Sequence, residues 1–138
     1  MPRIRSDGTR LLERNLTGEI IAAFYDCYST LGFGFLESVY RRSVATELRS
    51  RGLRVSEEVP LEVVYRGVVV GHFRLDLVVE GRVVVEVKST RALGPTDQRQ
   101  LINYLRAANI DVGLLLHFGP APEFHRLVSP QVLARRTE

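Results

Sequence analysis

Apolar residues recur at helical spacing in three stretches of the chain. In the first stretch Ile20, Ile21, Phe24 and Leu31 fall on one broad face, and Gly32 follows directly. A repeat of three to four residues is typical of an amphipathic helix, and glycine commonly comes just after its last residue. The spacing predicts helices over residues 16–31, 36–51 and 97–109.

Runs of β-branched residues separate the second predicted helix from the third. Valine alternates with other residues or repeats without interruption, as in VVVGHFRLDLVV and VVVEVK. Short runs of this kind, bounded by turn residues, are typical of strands. They predict a short strand at residues 55–59 ahead of Pro60, and further strands at 61–65, 68–79, 82–90 and 111–118. From Glu123 onward the pattern leaves one more short helix or strand open.

The predicted elements follow the order α-α-β-β-β-α-β, with the first strands forming a meander. A crossover through a helix joins parallel strands of one sheet, so the last strand should lie parallel to the strand before the helix. The sequence therefore predicts the α/β class, with a mixed β-sheet flanked by helices. A length of 138 residues is typical of one domain. We expect residues 16–138 to form it, after a polar tail at residues 1–15.

Composition excludes several classes of protein. Hydrophobic residues make up 45% of the chain and charged residues 25%, which is typical of a globular domain. No apolar run approaches the roughly 20 residues of a membrane helix, and the polar N-terminus lacks a leader core, so we expect a cytoplasmic protein. The single cysteine, Cys27, excludes a disulfide within the chain. A net charge of +3 permits a polyanionic partner without requiring one.

Three charged residues interrupt the valine-rich strands. Asp76 lies in one strand, and Glu86 and Lys88 lie in the next. Buried charges without partners are costly, so carboxylates inside an apolar strand need an explanation. They could face solvent on a half-exposed sheet, or form structural ion pairs with Arg74 and Lys88. They could also converge on a divalent cation, which prefers carboxylate oxygens.

The length of the hairpin loop decides whether these carboxylates meet. A two-residue turn at Glu80 and Gly81 would place Asp76 and Glu86 on opposite faces, because side chains alternate along a strand. A three-residue loop at residues 79–81, with Gly81 in a left-handed conformation, would place them on one face. We predict the three-residue loop, because Gly81 stands where such a loop needs it.

Further polar residues lie on predicted helices. Glu37 opens the second helix, where its charge either favours the helix N-terminus or reaches the strand carboxylates. Tyr40 lies one turn later on the same face, and either contacts the site or packs. Gln100 and Tyr104 share one face of the third helix, with the same two interpretations open. Five arginines give the second helix and its exit either a solvated face or a track for phosphates: Arg41, Arg42, Arg49, Arg51 and Arg54.

These residues together resemble the PD-(D/E)XK nuclease superfamily. Asp76, followed on the next strand by Glu86-Val87-Lys88 and then by a helix and a strand, is similar to the motif that names it, with Leu75 where proline often stands. The stretch GFLESVY at residues 34–40 resembles the motif of the GxxExxY proteins, a branch of that superfamily. The stretch QLINY at residues 100–104 resembles a Gln-x-x-x-Tyr element of exonuclease-like branches. The resemblance covers about residues 16–119.

The resemblance implies a restriction-endonuclease-like core and metal-dependent hydrolysis of phosphodiester bonds. It implies that Mg²⁺, with Mn²⁺ as a substitute, is bound by Asp76, Glu86, the carbonyl of Val87 and Glu37. Lys88 would orient the attacking water or stabilise phosphate charge, and two neighbouring carboxylates favour its charged form.

The same resemblance implies further contacts and a nucleic-acid partner. Gln100, Tyr104 and Tyr40 would contact the site, and the substrate would be DNA in preference to RNA. A homodimer would give one small domain more surface for a duplex. Histidines that the family has near Tyr28 and at Asp97 are absent from this chain. The alternative is therefore a nuclease-fold protein that binds nucleic acid, or serves as a scaffold, with weak or no catalysis.

Overall fold

Five strands form one mixed sheet with helices on both faces in the computed structural model, which describes residues 12–136 apart from the side chains of residues 133, 135 and 136. The helices are α1 Arg14–Leu31, α2 Glu37–Ser50, α3 Pro95–Ala108 and α4 Pro130–Arg136. The strands are β1 Val55–Tyr65, β2 Val68–Val79, β3 Val83–Lys88, β4 Val112–Phe118 and β5 Pro122–Val128.

The strands follow the order β1-β2-β3-β4-β5 across the sheet. Strands β3 and β4 are parallel, and every other neighbouring pair is antiparallel. Helix α3 makes the crossover between β3 and β4, as the pattern of the chain predicted. The predicted α/β class, with a mixed sheet flanked by helices, is confirmed.

Two parts of the prediction differ from the structure. Residues 55–65 form one strand, although a break had been expected at Pro60. Because β1 is an edge strand, proline can lack its N–H there without breaking the ladder between strands. The segment from Glu123, left open as one helix or strand, contains β5 and then α4. The element order therefore gains a final strand and helix.

The predicted N-terminal tail lies only partly within the described residues. Helix α1 begins at Arg14, two residues before the predicted start, so the expected tail at residues 1–15 is shorter. The rest of that tail, residues 1–11, lies outside the described residues. Within residues 12–136, no helix combines the length and apolar character needed to cross a membrane.

The core has two halves, one on each face of the sheet. Helices α1 and α2 pack on one face, where Phe24, Tyr40 and Phe118 are among the buried residues. Helix α3 covers the other face through Leu101 and Leu105. The sheet is thus covered on both faces, by α1 and α2 on one side and by α3 on the other.

Strand β2 departs from regular alternation at Asp76. Leu75 and Leu77 would share one face of a regular strand, yet Leu75 packs in the α3 half of the core and Leu77 in the other half. Glu58, which the register places opposite Asp76, has a φ of 51°, in the left-handed region. The sheet is therefore irregular at the position of the first candidate carboxylate.

Candidate active site

The β2–β3 hairpin places the two strand carboxylates on the same face. Pairing runs through Leu77↔Val85 and Val79↔Val83, which leaves a three-residue loop at residues 80–82. The loop has the predicted length but begins one residue later than expected, with φ values of 55° at Glu80 and 66° at Gly81. Continued at this register, Asp76 lies opposite Glu86. The prediction that both carboxylates share a face is confirmed.

The ladder between β2 and β3 gives way to side-chain hydrogen bonds at this pair. Beyond Leu77↔Val85, the N–H of Asp76 donates to Glu86 Oε2 at 3.0 Å, and the N–H of Val87 donates to Asp76 Oδ2 at 2.8 Å. Glu86 is buried and Asp76 is half-buried. The carboxylates therefore lie in a gap between the strands, and the interpretation that they face solvent is wrong.

Structural ion pairs do not explain these carboxylates either. Arg74 contacts Glu58 at 3.1 Å, and Lys88 Nζ lies 3.9 Å from Asp97. Among the lysine and arginine side chains that the structure describes, none lies within ion-pair distance of Asp76 or Glu86. The interpretation that pairs them with Arg74 and Lys88 is therefore wrong.

Burial favours the protonated form of both groups. Burial, together with the nearby charge of Asp76, raises the pKa of Glu86 to about 8. Burial and the charge of Glu37 raise the pKa of Asp76, against the hydrogen bond from Val87 and the charge of Lys88. Without a bound cation, the pair therefore retains a proton near neutral pH. A cation that replaced this proton would relieve the repulsion between the two carboxylates.

The chemistry of the donor set fits a hard divalent cation. Asp76 and Glu86 each use one carboxylate oxygen in the hydrogen bonds described, which leaves the other oxygen available as a ligand. The N–H and C=O of a strand residue point to the same side, so the carbonyl of Val87 faces the gap that its N–H enters. Such oxygen ligands suit Mg²⁺. In the described part of the chain, however, no three His, Cys, Asp or Glu side chains form a ready-made metal cluster.

Lys88 lies near the two strand carboxylates, and its ammonium group is directed toward α3. It follows Glu86 by two residues on the same face of β3, and its charge lowers the pKa of both strand carboxylates. Asp97, 3.9 Å away, also accepts a hydrogen bond from the N–H of Gly94 at 2.9 Å and so caps α3. No role in the site was predicted for Asp97 from the sequence. The Gly-Pro-x-Asp pattern of a helix start was the signal that could have identified it.

Glu37 reaches the edge of this site from α2. It is the first residue of the helix, and its Oε2 accepts a hydrogen bond from the N–H of Ser89 at 3.4 Å. Its charge raises the pKa of both Asp76 and Glu86, after the larger effect of burial. The structure thus brings Glu37 near the two strand carboxylates, without making it part of a three-carboxylate cluster.

Tyr40 does not point into the site. Its ring is fully buried and stacks on Phe118, with ring centroids 4.1 Å apart. Its hydroxyl donates to the carbonyl of Gly32 at 2.5 Å and accepts from the N–H of Phe35 at 3.1 Å. The expected contact with the site is therefore replaced by a packing role, because this side of α2 faces the core. Tyr40 instead fixes the loop that leads into Glu37.

Gln100 and Tyr104 lie one turn apart on α3, as expected. The ring of Tyr104 is near enough to the site that, after burial, the charges of Glu86 and Asp76 raise its pKa. Gln100 is exposed and makes no hydrogen bond with the described residues. The structure thus places Tyr104 beside the carboxylates, and Gln100 on the open side of the same helix.

Most arginines of α2 and its exit are already paired with acidic residues. Arg41 contacts Glu57 and Glu58, and Arg49 also contacts Glu57. Arg51 and Arg54 are paired as well, with carboxylates of α1, α2 and the β2–β3 turn. Their charges are largely compensated within the chain, which favours a solvated face over a phosphate track.

Comparison with known proteins finds a family that matches most of the chain. A family model described as the PD-(D/E)XK nuclease superfamily matches residues 14–127, which include all the candidate residues above. Among curated proteins, none matches the chain significantly.

A solved structure supports the fold. The crystal structure of SSO0001 is similar to this chain with a TM-score of 0.52 and 16% sequence identity. The match covers 93% of this chain but only 66% of the other. At 16% identity the likeness shows the fold alone. That fold is consistent with the family match.

Proposed function

The chain belongs to the PD-(D/E)XK nuclease superfamily, and we propose that it hydrolyses phosphodiester bonds of nucleic acid with Mg²⁺, for which Mn²⁺ can substitute. One observation carries this proposal. Asp76 and Glu86 are desolvated, hydrogen-bonded into a gap between strands, and without a cation from the described chain. Such an arrangement is costly for stability and suits a site that receives a cation.

The proposed metal ligands are Asp76, Glu86 and the carbonyl of Val87, with Glu37 at the edge of the site. When bound, Mg²⁺ would supply an attacking water of lowered pKa and neutralise charge on the phosphate. The two strand carboxylates are fixed by backbone N–H groups, which gives them defined positions. A site built on strands holds such geometry better than one built on loops.

The protein groups around the ligands have distinct proposed roles. Lys88 stabilises negative charge on the phosphate or orients the water, with Asp97 directing its ammonium group. Tyr104 contacts the scissile phosphate or the water from the side of α3, and Gln100 extends that contact. Tyr40 positions Glu37 through the preceding loop.

Several finer features complete the proposal. The stretch at residues 34–40 places the chain in the GxxExxY branch, and the expected substrate is DNA. We also propose a cytoplasmic location and a homodimer. The apolar side chains exposed at the end of the β1–β2 hairpin, Tyr65 and Val68 among them, support a homodimer.

One observation favours the alternative of weak catalysis. Asp97, where the family resemblance implies a histidine, lies 3.9 Å from the Lys88 ammonium and partly neutralises it. The nearby carboxylate offsets part of the positive potential at this position, so the site would stabilise phosphate charge less well. A nucleic-acid-binding protein with little hydrolysis is therefore the second candidate function.

Cleavage of labelled single- and double-stranded DNA and RNA, with Mg²⁺, Mn²⁺ or chelator, tests the proposal and names the substrate. We expect cleavage of DNA that chelator abolishes. Binding of a polymer without cleavage in either metal would favour the second candidate. If the protein bound neither Mn²⁺ nor nucleic acid, both candidates would be wrong.

A further inference from the structure

An open groove lies between the outer side of α3 and the β1–β2 hairpin, next to the candidate active site. Its volume is about 640 Å³, within the range of roughly 300–1,000 Å³ usual for ligand pockets. Phe73, Tyr104, Gln100, Asn103 and two arginines line it. Tyr104 belongs to both regions, because the charges of Asp76 and Glu86 act on its hydroxyl. The groove therefore adjoins the candidate active site at Tyr104.

The wall on the hairpin side carries an aromatic ring that the core does not use. Phe73 is 44% exposed, and its ring centroid lies 5.5 Å from that of Tyr104 at an interplanar angle of 48°. Phe73 is three residues before Asp76 on the same strand. An exposed aromatic face beside a phosphodiesterase site is the kind of surface on which unpaired bases stack.

The wall on the α3 side carries positive charge that is free to bind phosphate. Arg99 and Arg106 are exposed, two turns apart on the helix, and have no carboxylate within ion-pair distance among residues 12–136. This distinguishes them from Arg41 and Arg49 of α2 and from Arg51 directly after it, which are paired with acidic residues. The uncompensated cations and the aromatic ring thus line the same groove.

We infer that this groove binds an unstacked nucleotide of a single strand, with Phe73 against the base and Arg99 and Arg106 against flanking phosphates. This inference rests on the proposed nuclease function and names its substrate class. Bases in a duplex keep their faces stacked on their neighbours, so only an unpaired base presents a face to Phe73. The side-chain amides of Gln100 and Asn103 can donate to and accept from the edge of that base.

Equilibrium binding in chelator tests the groove separately from catalysis. The fluorescence anisotropy of a labelled oligonucleotide is measured with the full chain, as a single strand and as the matching duplex. We expect the single strand to bind about tenfold or more tightly than the duplex. Phe73→Leu, which keeps an apolar side chain but removes the ring, should weaken single-strand binding about tenfold, as expected for loss of one stacked base. Phe73→Trp should restore it.

The same assay tests the arginines of the groove through the salt dependence of binding. Arg99→Ala should weaken binding, and should reduce the slope of log K against log salt concentration by about 0.7, the value for one phosphate contact on a single strand. Matched controls lie on α1, across the sheet. Tyr25→Leu removes a ring that is 40% exposed, and Arg14→Ala removes an exposed arginine without an ion pair in the described chain. Neither should change binding more than about twofold if contacts follow the groove.

Two results would overturn the inference: equal affinity for single strand and duplex, or an effect of Phe73→Leu no larger than that of Tyr25→Leu. Each is distinct from failure of the nuclease proposal. Cleavage that does not depend on Phe73 would contradict the proposed role of the groove and leave the nuclease proposal intact. Single-strand binding that depends on Phe73, without cleavage in Mg²⁺ or Mn²⁺, would support the proposed role of the groove and contradict the nuclease proposal.

Discussion

Glu86 illustrates how burial changes the chemistry of a single side chain. A carboxyl group in water is ionised at neutral pH, but this one is buried opposite Asp76 and has its pKa raised to about 8. Its ionised form is therefore available only when something compensates the charge. In the proposed function that compensation comes from the metal, so occupancy of the site and protonation of Glu86 compete.

This competition predicts a pH-dependent affinity for Mn²⁺. Between about pH 6 and 8, the affinity should rise by up to about tenfold per pH unit, because the metal displaces the proton from Glu86. Isothermal titration calorimetry with Mn²⁺ measures it. Glu86→Gln should lose most of the affinity and its pH dependence, whereas Glu62→Gln, an exposed carboxylate on β1, should retain both. An affinity that stays constant from pH 6 to 8 would contradict this account.

The same raised pKa has a consequence for stability without metal. The folded state keeps a proton on Glu86 that the unfolded state loses near pH 4.5, so its stabilising contribution is complete below that pH and is lost as pH rises to about 8. Thermal unfolding in chelator should show stability falling over this range, and less so in Glu86→Gln. Stability that rose over the range equally in both proteins would argue against a raised pKa.

Tyr40 shows what residue spacing can and cannot predict. Its position one turn after Glu37 was correct, but spacing alone does not tell which side of α2 faces the core. The structure answers this through the stacking on Phe118 and the two hydrogen bonds of the hydroxyl. By contrast, the meeting of Asp76 and Glu86 could be predicted, because the length of the hairpin loop sets the register as far as Leu77↔Val85, directly beside the two carboxylates.

Tyr40→Phe should therefore reduce stability through the loss of one hydroxyl group. The carbonyl of Gly32 and the N–H of Phe35 would each lose their partner, so the free energy of unfolding should fall by about 1–3 kcal/mol. Urea unfolding measures it. Tyr25→Phe is the control, since Tyr25 is partly exposed on α1, and it should change stability by less than about 0.5 kcal/mol. Equal effects of the two substitutions would exclude the proposed role of the hydroxyl.

Helix α3 depends on close packing against the sheet. It brings Asp97 to Lys88 and Tyr104 to the carboxylates, and its contact with β4 passes over Gly113. A Cβ atom at Gly113 would lie 3.1–3.2 Å from atoms of the Leu101 side chain, which is tighter than ordinary contact. The absence of a side chain at Gly113 thus lets α3 pack closely on the sheet.

Gly113→Ala should move α3 outward and reduce stability. The clash with Leu101 should cost about 1–3 kcal/mol in the free energy of unfolding, as overpacking of a core usually does. Gly18→Ala in α1 is the matched control, because no atom lies within 4 Å of its added Cβ. That substitution should instead stabilise the protein by about 0.5–1 kcal/mol, the usual gain for a helix interior. Chemical unfolding that gave Gly113→Ala the stability of the parent protein would contradict the packing argument.

Elements with strong periodicity were predictable, and those governed by tertiary position were not. Helices α1, α2 and α3 and the buried β4 follow directly from the apolar pattern. The continuity of β1 through Pro60 depends on its edge position, which local sequence does not reveal. Likewise β5, which pairs with β4 from Val112↔Val128 to Phe118↔Pro122, is the other edge strand, and most of its side chains are only half-buried, so its apolar pattern is weak.

The whole molecule combines an open sheet, covered by helices on both faces, with a hairpin that exposes apolar residues. Tyr65 is 65% exposed and Val68 is 60% exposed at the far end of β1 and β2. Clusters of exposed apolar side chains commonly mark contact surfaces. They are the structural support for the proposed homodimer, in which two hairpins would bury these side chains against each other.

Light scattering coupled to size-exclusion chromatography tests the homodimer. We expect about twice the monomer mass of 15.6 kDa for the parent protein and the monomer mass for Val68→Lys, because a lysine would introduce charge into the contact. Arg54→Lys, an exposed change outside this region, should leave the mass unchanged. A parent protein that stays monomeric at about 100 μM would rule out the dimer. Its dissociation constant would then be higher than that of stable assemblies.

The most direct test of the central claim is single-turnover cleavage of labelled DNA with Mg²⁺, for the parent protein beside Glu86→Gln and Lys88→Ala. We expect cleavage by the parent protein and a loss of about 100-fold or more in each variant, with both still folded. Glu80→Gln, at the far end of the same hairpin, should cleave like the parent. Cleavage at equal rates by all four proteins would contradict the claim that Asp76, Glu86 and Lys88 form the active site.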